Sequence, residues 1–186
     1  MRIPITKPYF DKKEEKEVIS VLRSGWVTQG PKVIQFEDLV AKFTSAKHAV
    51  ATTSATSGLF LSLKLLGIGT GDEIIVPSFT FIATANVIIH AGARPVFVDI
   101  DRGTYNIDPG SIESAITKKT KAILPVDQVG LACDFAAIFT IAKKHKLHII
   151  DDAACALGSI YKGKKVNIFK TVSRDFGFIN NFIYAV

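Results

Sequence analysis

The chain has 186 residues and a formal net charge of +6, and 48% of its residues are hydrophobic. This length fits one domain with a real core but is short for a two-domain enzyme. Gly, Pro and charged residues break the apolar runs well before the roughly 18 residues of a membrane-spanning helix, and the start lacks the apolar stretch of a signal peptide. We therefore expect a soluble, cytoplasmic protein.

Short β-rich runs alternate with helical patterns along the chain. Two amphipathic helices are predicted first, over residues 11–23 and 32–43. Five strands follow, at 49–52, 73–76, 95–99, 121–126 and 147–151, with helices between them at 57–66, 83–90, 111–116 and 135–145. This alternation predicts an α/β fold, an αβα sandwich whose mostly parallel sheet is covered by helices on both faces. Residues 167–186 show neither the two-residue hydrophobic period of a strand nor the 3.6-residue period of a helix, so we assign no element to them.

Neither the cysteines nor the basic residues indicate a metal or a nucleic acid. Cys133 and Cys155 have neither the spacing of a metal knuckle nor the number of a disulfide framework, so we expect two reduced thiols and no metal. Lysines cluster near residues 118–121, 143–146 and 162–165, at predicted helix ends and turns where cations suit the helix dipole and solvent. No aromatic residues are interleaved with them, so we expect no nucleic-acid and no membrane partner.

A glycine run at residues 67–71 suggests dinucleotide binding at first sight, particularly because Asp99 ends a later predicted strand. In the dinucleotide fingerprint, however, the glycines follow a strand and open a helix. Here they follow a predicted helix and precede a strand. We therefore interpret the run as a turn.

Asp152 closes the last apolar strand of the predicted sheet. A carboxylate at the carboxyl end of a buried parallel strand faces the crevice where open α/β sheets bind ligands, and there it can pair with the protonated ring nitrogen of a cofactor. The alternative is an aspartate that caps the next helix. Position alone leaves both open.

Two further groups follow other predicted strands. Hydroxyl residues at 52–57 open a helix, where they form either a cradle for a phosphate or a simple cap. Phe79 and Phe81 lie where another strand feeds a helix, so one of them stacks on a planar ring or both belong to the core. Taken with Asp152, these groups describe a pyridoxal-phosphate site without its lysine.

Three motifs occur together and in order, at residues 25–33, 77–86 and 95–101. In these motifs the chain resembles the DegT-type sugar-nucleotide aminotransferases, which are fold-type I pyridoxal-phosphate enzymes. Further matching segments lie at residues 105–109, 120–126, 150–154 and 161–166. The resemblance implies that residues 1–166 are the N-terminal part of the aminotransferase large domain. Residues 167–186 would be a divergent tail, and the C-terminal small domain would be absent.

The resemblance also implies roles for five residues. Thr56 and Ser57 would hold the phosphate of pyridoxal 5'-phosphate, and Phe81 would stack on its ring. Asp152 would pair with the ring nitrogen. Cys155 stands near the phenolic oxygen of the cofactor, where family members usually carry an amide or imidazole, and a thiol is a poor substitute as a hydrogen-bonding group.

The activity and assembly of the family are further implications. Its members transfer an amino group from an amino acid such as glutamate to a nucleotide-linked keto sugar, in nucleotide-sugar biosynthesis. They work as homodimers with shared active sites. The loop at residues 26–31 would lie near the sugar-nucleotide pocket or a neighbouring subunit.

This chain departs from the family pattern at several positions. Ala55 replaces the usual glycine of the phosphate run, Gly58 replaces the small apolar residue after it, and Asp127 stands where many relatives have histidine. The lysine that forms the Schiff base should fall within residues 175–181, near Asn180 and Asn181. Because an amide nitrogen lacks a nucleophilic lone pair, asparagine cannot replace it.

No catalytic residue is therefore assigned, and the chain by itself is expected to be inactive. The expected protein is a truncated aminotransferase, whether by a frameshift or as a functional short form. The alternative is a non-catalytic module that binds the cofactor or a sugar nucleotide, or that modulates a dimer.

Overall fold

The computed structural model describes residues 7–166 and the backbone of three later strands, Val172–Ser173, Gly177–Phe178 and Asn181–Ala185. The chain divides into two compact units, Met1–Phe36 and Glu37–Val186. The larger unit contains the described sheets and the predicted cofactor-binding residues.

Helix α1 (Lys12–Ser24) in the first unit is defined by its two ends. The Asp11 carboxylate accepts the backbone N–H of Lys13 at 2.6 Å, and Glu14 Oε2 accepts the N–H of Asp11 at 2.7 Å. This reciprocal cap satisfies backbone donors that have no partner within the helix. The helix ends at Gly25, whose φ of 71° lies in the left-handed region.

The predicted helices and strands occur in the predicted order, whereas the five described strands that begin at residue 160 or later were not predicted from the sequence. The helices are α2 (Pro31–Thr44), α3 (Ala55–Leu65), α4 (Ile82–His90), α5 (Pro109–Ile112) and α6 (Phe135–His145). The strands are β1 (His48–Thr52), β2 (Glu73–Pro77), β3 (Arg94–Val98), β4 (Thr120–Ile123), β5 (His148–Ile149), β6 (Ile160–Tyr161), β7 (Lys164–Lys165), β8 (Val172–Ser173), β9 (Gly177–Phe178) and β10 (Asn181–Ala185).

The main sheet has six strands in the order β3-β2-β4-β5-β8-β9. The pairs β2–β3, β2–β4 and β4–β5 are parallel, whereas β8 and β9 add antiparallel pairs at one edge. Strands β1 and β10 pair in parallel as a separate two-stranded sheet, and β6 and β7 form an antiparallel pair. The prediction of an α/β fold with a mostly parallel sheet is confirmed.

Two strands are shorter than predicted. The strands expected at 121–126 and 147–151 have regular strand pairing only as far as Ile123 and Ile149. Proline has no N–H to donate, and Pro125 interrupts the first of them. Beyond it the chain stays extended, and an isolated parallel bridge joins Val126 to Asp152.

One hydrophobic core joins helices and sheet in the larger unit. Strand β2 is buried along its whole length, and helix α4 packs on β2 and β3 while α6 packs on β5. Fully buried side chains of this core include Leu59, Leu63, Ile74, Ile75, Ile88, Ile123 and Ile138. The parallel strand ends that carry the candidate residues are therefore anchored by a packed interior.

The glycine run forms the predicted turn. It lies between the end of α3 and the start of β2, with positive φ angles of 69° at Gly67 and 91° at Gly71. Asp72 Oδ2 accepts the N–H of Gly69 at 3.0 Å and closes the turn. Because the left-handed region is open to glycine at little cost, the run is explained by chain reversal alone.

Within the part of the chain that the structure describes, no helix combines the length and apolar character needed to cross a membrane. A search of the same residues finds no group of three or more His, Cys, Asp or Glu side chains that could hold a metal ion.

Candidate functional site

Asp152 lies at the carboxyl edge of the parallel sheet and is 7% exposed. Its backbone N–H donates to the carbonyl of Pro125 at 2.9 Å, and its carbonyl accepts the N–H of Asp127 at 3.1 Å. The two extended segments after β4 and β5 thus hold the aspartate between them. Residues 153–159, which follow it, form turns and contain no helix. The interpretation of Asp152 as a helix cap is therefore wrong.

Helix α4 supplies a hydrogen-bond donor to this carboxylate. Thr84 is 1% exposed, and its Oγ1 donates to Asp152 Oδ2 at 2.8 Å and accepts from Thr80 Oγ1 at 2.9 Å. The other oxygen, Oδ1, accepts the N–H of Ala154 at 3.3 Å. Burial raises the pKa of Asp152, although these hydrogen bonds favour the charged form.

Asp127 places a second buried carboxyl group on the neighbouring segment. The residue is 1% exposed, and its Oδ1 accepts the N–H of Cys133 at 2.7 Å. Its Oδ2 has no hydrogen-bond partner among the described residues. Burial raises the pKa of Asp127 to about 6, against the lowering effect of the Cys133 hydrogen bonds and with a further increase from the charge of Asp152. Burial also raises the pKa of the Cys133 thiol.

The hydroxyl run lies at the start of α3. Ser54 is the N-cap, and its side chain accepts the N–H of Ser57 at 3.1 Å. Ser57 Oγ lies 3.0 Å from Ser54 Oγ and 3.1 Å from Thr53 Oγ1. One hydroxyl is enough to cap the helix, and Thr52 Oγ1 donates to the carbonyl of Ser54 at 3.0 Å. The hydroxyls of Thr53, Thr56 and Ser57 are therefore the ones that could donate to an anion at the positive end of the helix dipole.

Thr56 and Ser57 also line a cavity of about 440 Å³ between α3 and α4. Val87 and His90 of α4 form part of its wall. The hydroxyl run therefore faces the same helix that carries Thr84. Helices α3 and α4 pack on each other, whereas Thr84 itself does not line this cavity.

The two aromatic residues before α4 lie at the surface. Phe81 occupies the N-cap position of α4 and is 75% exposed, and Phe79 is 53% exposed. The alternative that both belong to the core is therefore wrong. Phe81 precedes Thr84 by three residues, so both project from the first turn of one helix.

The remaining predicted residues have less defined surroundings. Cys155 is an exposed free thiol in the turn after Asp152, and Cys133 is free and buried. Asn180 lies outside the described residues, as does the side chain of Asn181, the first residue of β10. In the first unit, Trp26 Nε1 donates to the carbonyl of Gln29 at 3.0 Å within the loop at 26–31.

Sequence reasoning did not single out Thr84, the residue that holds Asp152. The sequence feature that could have indicated Thr84 is its position three residues after Phe81 in a predicted helix, because this spacing places the two side chains on one face. Nothing local indicated the burial of Asp127, because that depends on which strands are neighbours.

A parallel sheet with a buried carboxylate and an exposed aromatic at its carboxyl edge, next to a helix that begins with hydroxyl residues, has the architecture of the large domain of fold-type I pyridoxal-phosphate enzymes. Residues 8–181 match the model of the DegT/DnrJ/EryC1/StrS aminotransferase family, and the chain belongs to this family. The resemblance seen in the motifs is thereby confirmed.

Individual relatives give the same result. The spore coat polysaccharide biosynthesis protein SpsC of Bacillus subtilis is 50% identical over 164 residues, and the UDP-4-amino-4-deoxy-L-arabinose–oxoglutarate aminotransferase of Shewanella sediminis is 44% identical. Each match covers 88% of this chain and 42% of the relative. The structure of Spr1654 from Streptococcus pneumoniae in its PLP form aligns with a TM-score of 0.86 at 39% identity, over 89% of this chain and 46% of that one.

The chain thus spans less than half the length of these relatives. The family match runs to residue 181, past the limit at 166 that the motifs suggested. The division into residues 1–166 and a divergent tail at 167–186 stays a prediction.

Proposed function

We propose that this chain is the N-terminal part of the large domain of a pyridoxal-phosphate-dependent aminotransferase. The enzyme would transfer an amino group from an amino acid, glutamate in the first instance, to a nucleotide-linked keto sugar. Family membership supports the reaction class. The name of the Shewanella relative joins a UDP-linked amino sugar to oxoglutarate, which is the keto acid of glutamate.

The buried Asp152–Thr84 pair is the observation that carries this proposal. Both oxygens of Asp152 accept hydrogen bonds, which suits an ionised carboxylate, yet no cation forms an ion pair with it among the described residues. An unpaired buried charge is costly, and a protonated ring nitrogen would supply the missing partner. The residues present therefore fit a pyridine-containing cofactor.

The other residues would hold the rest of this ligand. Thr56 and Ser57, at the positive end of α3, would donate hydrogen bonds to the phosphate. Phe81 offers an exposed ring at a fixed helix start for stacking, and Cys155 would lie near the phenolic oxygen. Pyridoxal phosphate, when bound, supplies an electron sink for charge that develops on the amino-bearing carbon.

We propose further that the chain by itself has no turnover, because residues 175–181 contain no lysine. A primary amine is needed both to attach the aldehyde and to move protons. The assembled enzyme would be a cytoplasmic homodimer, as the resemblance implies. A chain that binds the cofactor reversibly without turnover would instead serve as a binding or dimer-modulating module.

Absorbance spectroscopy with the purified chain tests the cofactor site. We expect pyridoxal phosphate to bind reversibly with a shifted spectrum, and we expect borohydride to leave no covalent adduct. Asp152→Asn should weaken binding at least tenfold, since the ring nitrogen loses its counter-ion. Asp38→Asn, at an exposed position of α2, is the matched control and should bind as the parent does.

Four outcomes would contradict the proposal. A pyridoxyl adduct on any lysine, or transamination of a UDP-linked keto sugar with glutamate by this chain, would refute the absence of turnover. No binding by the parent chain, or equal binding by Asp152→Asn, would refute the cofactor site.

A further inference from the structure

A second cavity lies beside the candidate cofactor site. It has a volume of about 410 Å³, which is within the range of small-molecule pockets. The residues that matter for its chemistry are Phe79, Thr104, Tyr105, Gln128, Val129 and Leu131. None of them has been given a role in the proposed cofactor site.

The position of this cavity connects it to that site. Gln128 directly follows the buried Asp127, and Phe79 lies two residues before Phe81. Gln128 Nε2 donates to the carbonyl of Phe79 at 2.8 Å and so joins the loops after β2 and β4. The cavity therefore opens at the same carboxyl edge of the sheet as Asp152.

Two aromatic rings form one wall of the cavity. The ring centroids of Phe79 and Tyr105 lie 5.7 Å apart with their planes tilted by 45°. Phe79 is 53% and Tyr105 55% exposed, so the pair is offered to solvent and does not pack in the core. Exposed rings held on short loops are suitable surfaces for stacking a planar group.

The backbone around the cavity is held in an unfavourable conformation. Tyr105 and Val129 have φ angles of 60° and 51°, in the left-handed region that disfavours side chains and β-branched ones above all. Asn106, 4% exposed, keeps the turn in place: its Oδ1 accepts the N–H of Gln128 at 2.9 Å and its Nδ2 donates to the carbonyl of Leu131 at 2.8 Å. Strain that surrounding contacts maintain in this way is typical of ligand sites.

The lining selects the chemical class of the ligand. Among the described residues that line the cavity, none carries a charge, so a phosphate group would find no cation there. The amide of Gln128 and the hydroxyl of Thr104 can instead bond the edge of a neutral heteroaromatic ring. A pyrimidine base is planar and neutral, with donors and acceptors at its edge.

We infer that this cavity, the aromatic pocket, binds the pyrimidine base of the sugar nucleotide. Tyr105 and Phe79 stack on the base, and Gln128 contacts its edge. The inference rests on the proposed function, because it assigns the nucleotide half of that substrate to a particular place. It makes Tyr105 a specificity-determining residue.

Calorimetry with UDP, and with pyrophosphate as a probe that lacks the base, tests the inference on the purified chain. Tyr105→Asn removes the ring and keeps a residue that tolerates positive φ, whereas Tyr105→Phe keeps the ring. We expect Tyr105→Asn to weaken UDP binding about tenfold, a typical value for one lost base–aromatic stack, and Tyr105→Phe to bind as the parent does. Phe79→Leu should reduce UDP affinity in the same direction.

Proton NMR supplies a second readout. Ring currents should shift the base H6 proton of UDP upfield in the parent and not in Tyr105→Asn. Tyr9→Asn, at an 82% exposed position in the first unit, is the control and should leave UDP binding unchanged. Circular dichroism of each variant verifies that its fold is intact.

The inference is overturned if UDP and pyrophosphate bind with equal affinity, or if UDP binds Tyr105→Asn as it binds the parent. Pyridoxal phosphate titrated into the same samples separates this result from the proposed function. If pyridoxal phosphate gives its shifted absorbance spectrum but the H6 proton of UDP does not shift, only the assignment of the aromatic pocket is contradicted. A base shift without a cofactor spectrum contradicts the cofactor site and leaves the pocket standing.

Discussion

Replacing Asp127 by asparagine should make the stability of this protein less dependent on pH. Burial raises the pKa of Asp127 from 3.8 to about 6, so the native state holds this proton more tightly than the unfolded state does. The contribution of protonated Asp127 to the free energy of unfolding is fully present below about pH 4 and is lost as the pH rises through about 6. Asparagine resembles the protonated acid at every pH.

The size of the effect follows from the shift in pKa. A change from 3.8 to about 6 corresponds to at most ~3 kcal/mol, at ~1.4 kcal/mol per unit. The Asp127 oxygen Oδ2 has no partner among the described residues, and an amide N–H in its place also needs an acceptor. We therefore expect Asp127→Asn to exceed the parent in free energy of unfolding by about 1–3 kcal/mol at pH 8, with the difference vanishing near pH 4.

Urea denaturation followed by circular dichroism between pH 4 and pH 8 measures this difference. Asp101→Asn is a control of opposite sign, because hydrogen bonds from Thr104 and Gly103 lower the pKa of Asp101. Its carboxylate stabilises the native state above the unfolded-state pKa, and this stability is lost on acidification. If Asp127→Asn differs from the parent by a constant amount over this pH range, the assignment of a buried titrating acid is refuted.

Three further substitutions test the packing and the strain of the fold. Thr84→Val leaves the buried Oδ2 of Asp152 without its hydrogen-bond donor and should lower the free energy of unfolding by about 1–3 kcal/mol. Thr84→Ser keeps the hydroxyl and should retain most of the stability of the parent. Equal free energies of unfolding for the two variants would contradict the hydrogen bond. Ile123→Ala, at a 0% exposed core position of β4, should cost about 2–5 kcal/mol in urea denaturation, and a loss below 1 kcal/mol would mean that the site is not packed as described. Val129→Gly should raise the free energy of unfolding by up to about 1 kcal/mol in thermal denaturation. The reason is that relief of the strain at positive φ exceeds the extra conformational entropy that glycine loses on folding. A destabilised variant would show that the backbone at Val129 is not strained.

Much of the fold was predictable because its signals are local. Helix α6 was predicted over the residues at which it is found, since its hydrophobic period and the lysines at its end are both contained in one short segment. The turn at residues 67–71 was predictable for the same reason, from glycines between a helix and a strand. Strand ends were less accurate, because the ladder beyond Ile123 depends on the partner strand as well as on Pro125.

For the candidate site, too, the features with a local sequence signal were predictable. Asp152 at a strand end, Phe81 before a helix and the hydroxyls at a helix start are each visible in a short stretch of sequence. Together these groups predict a pyridoxal-phosphate site, the order of three motifs then indicates the family, and the family match confirms the class of protein.

The sequence by itself determined the α/β alternation, the turns and the types of side chain at the strand ends. Only the tertiary structure decided which of these side chains meet, because the strand order β3-β2-β4-β5 brings distant segments side by side. Thr84 reaches Asp152 across 68 positions of the chain, and Gln128 reaches Phe79 across 49. Hydrogen bonding, burial and the pKa of Asp127 all depend on such contacts, and no local pattern contains them.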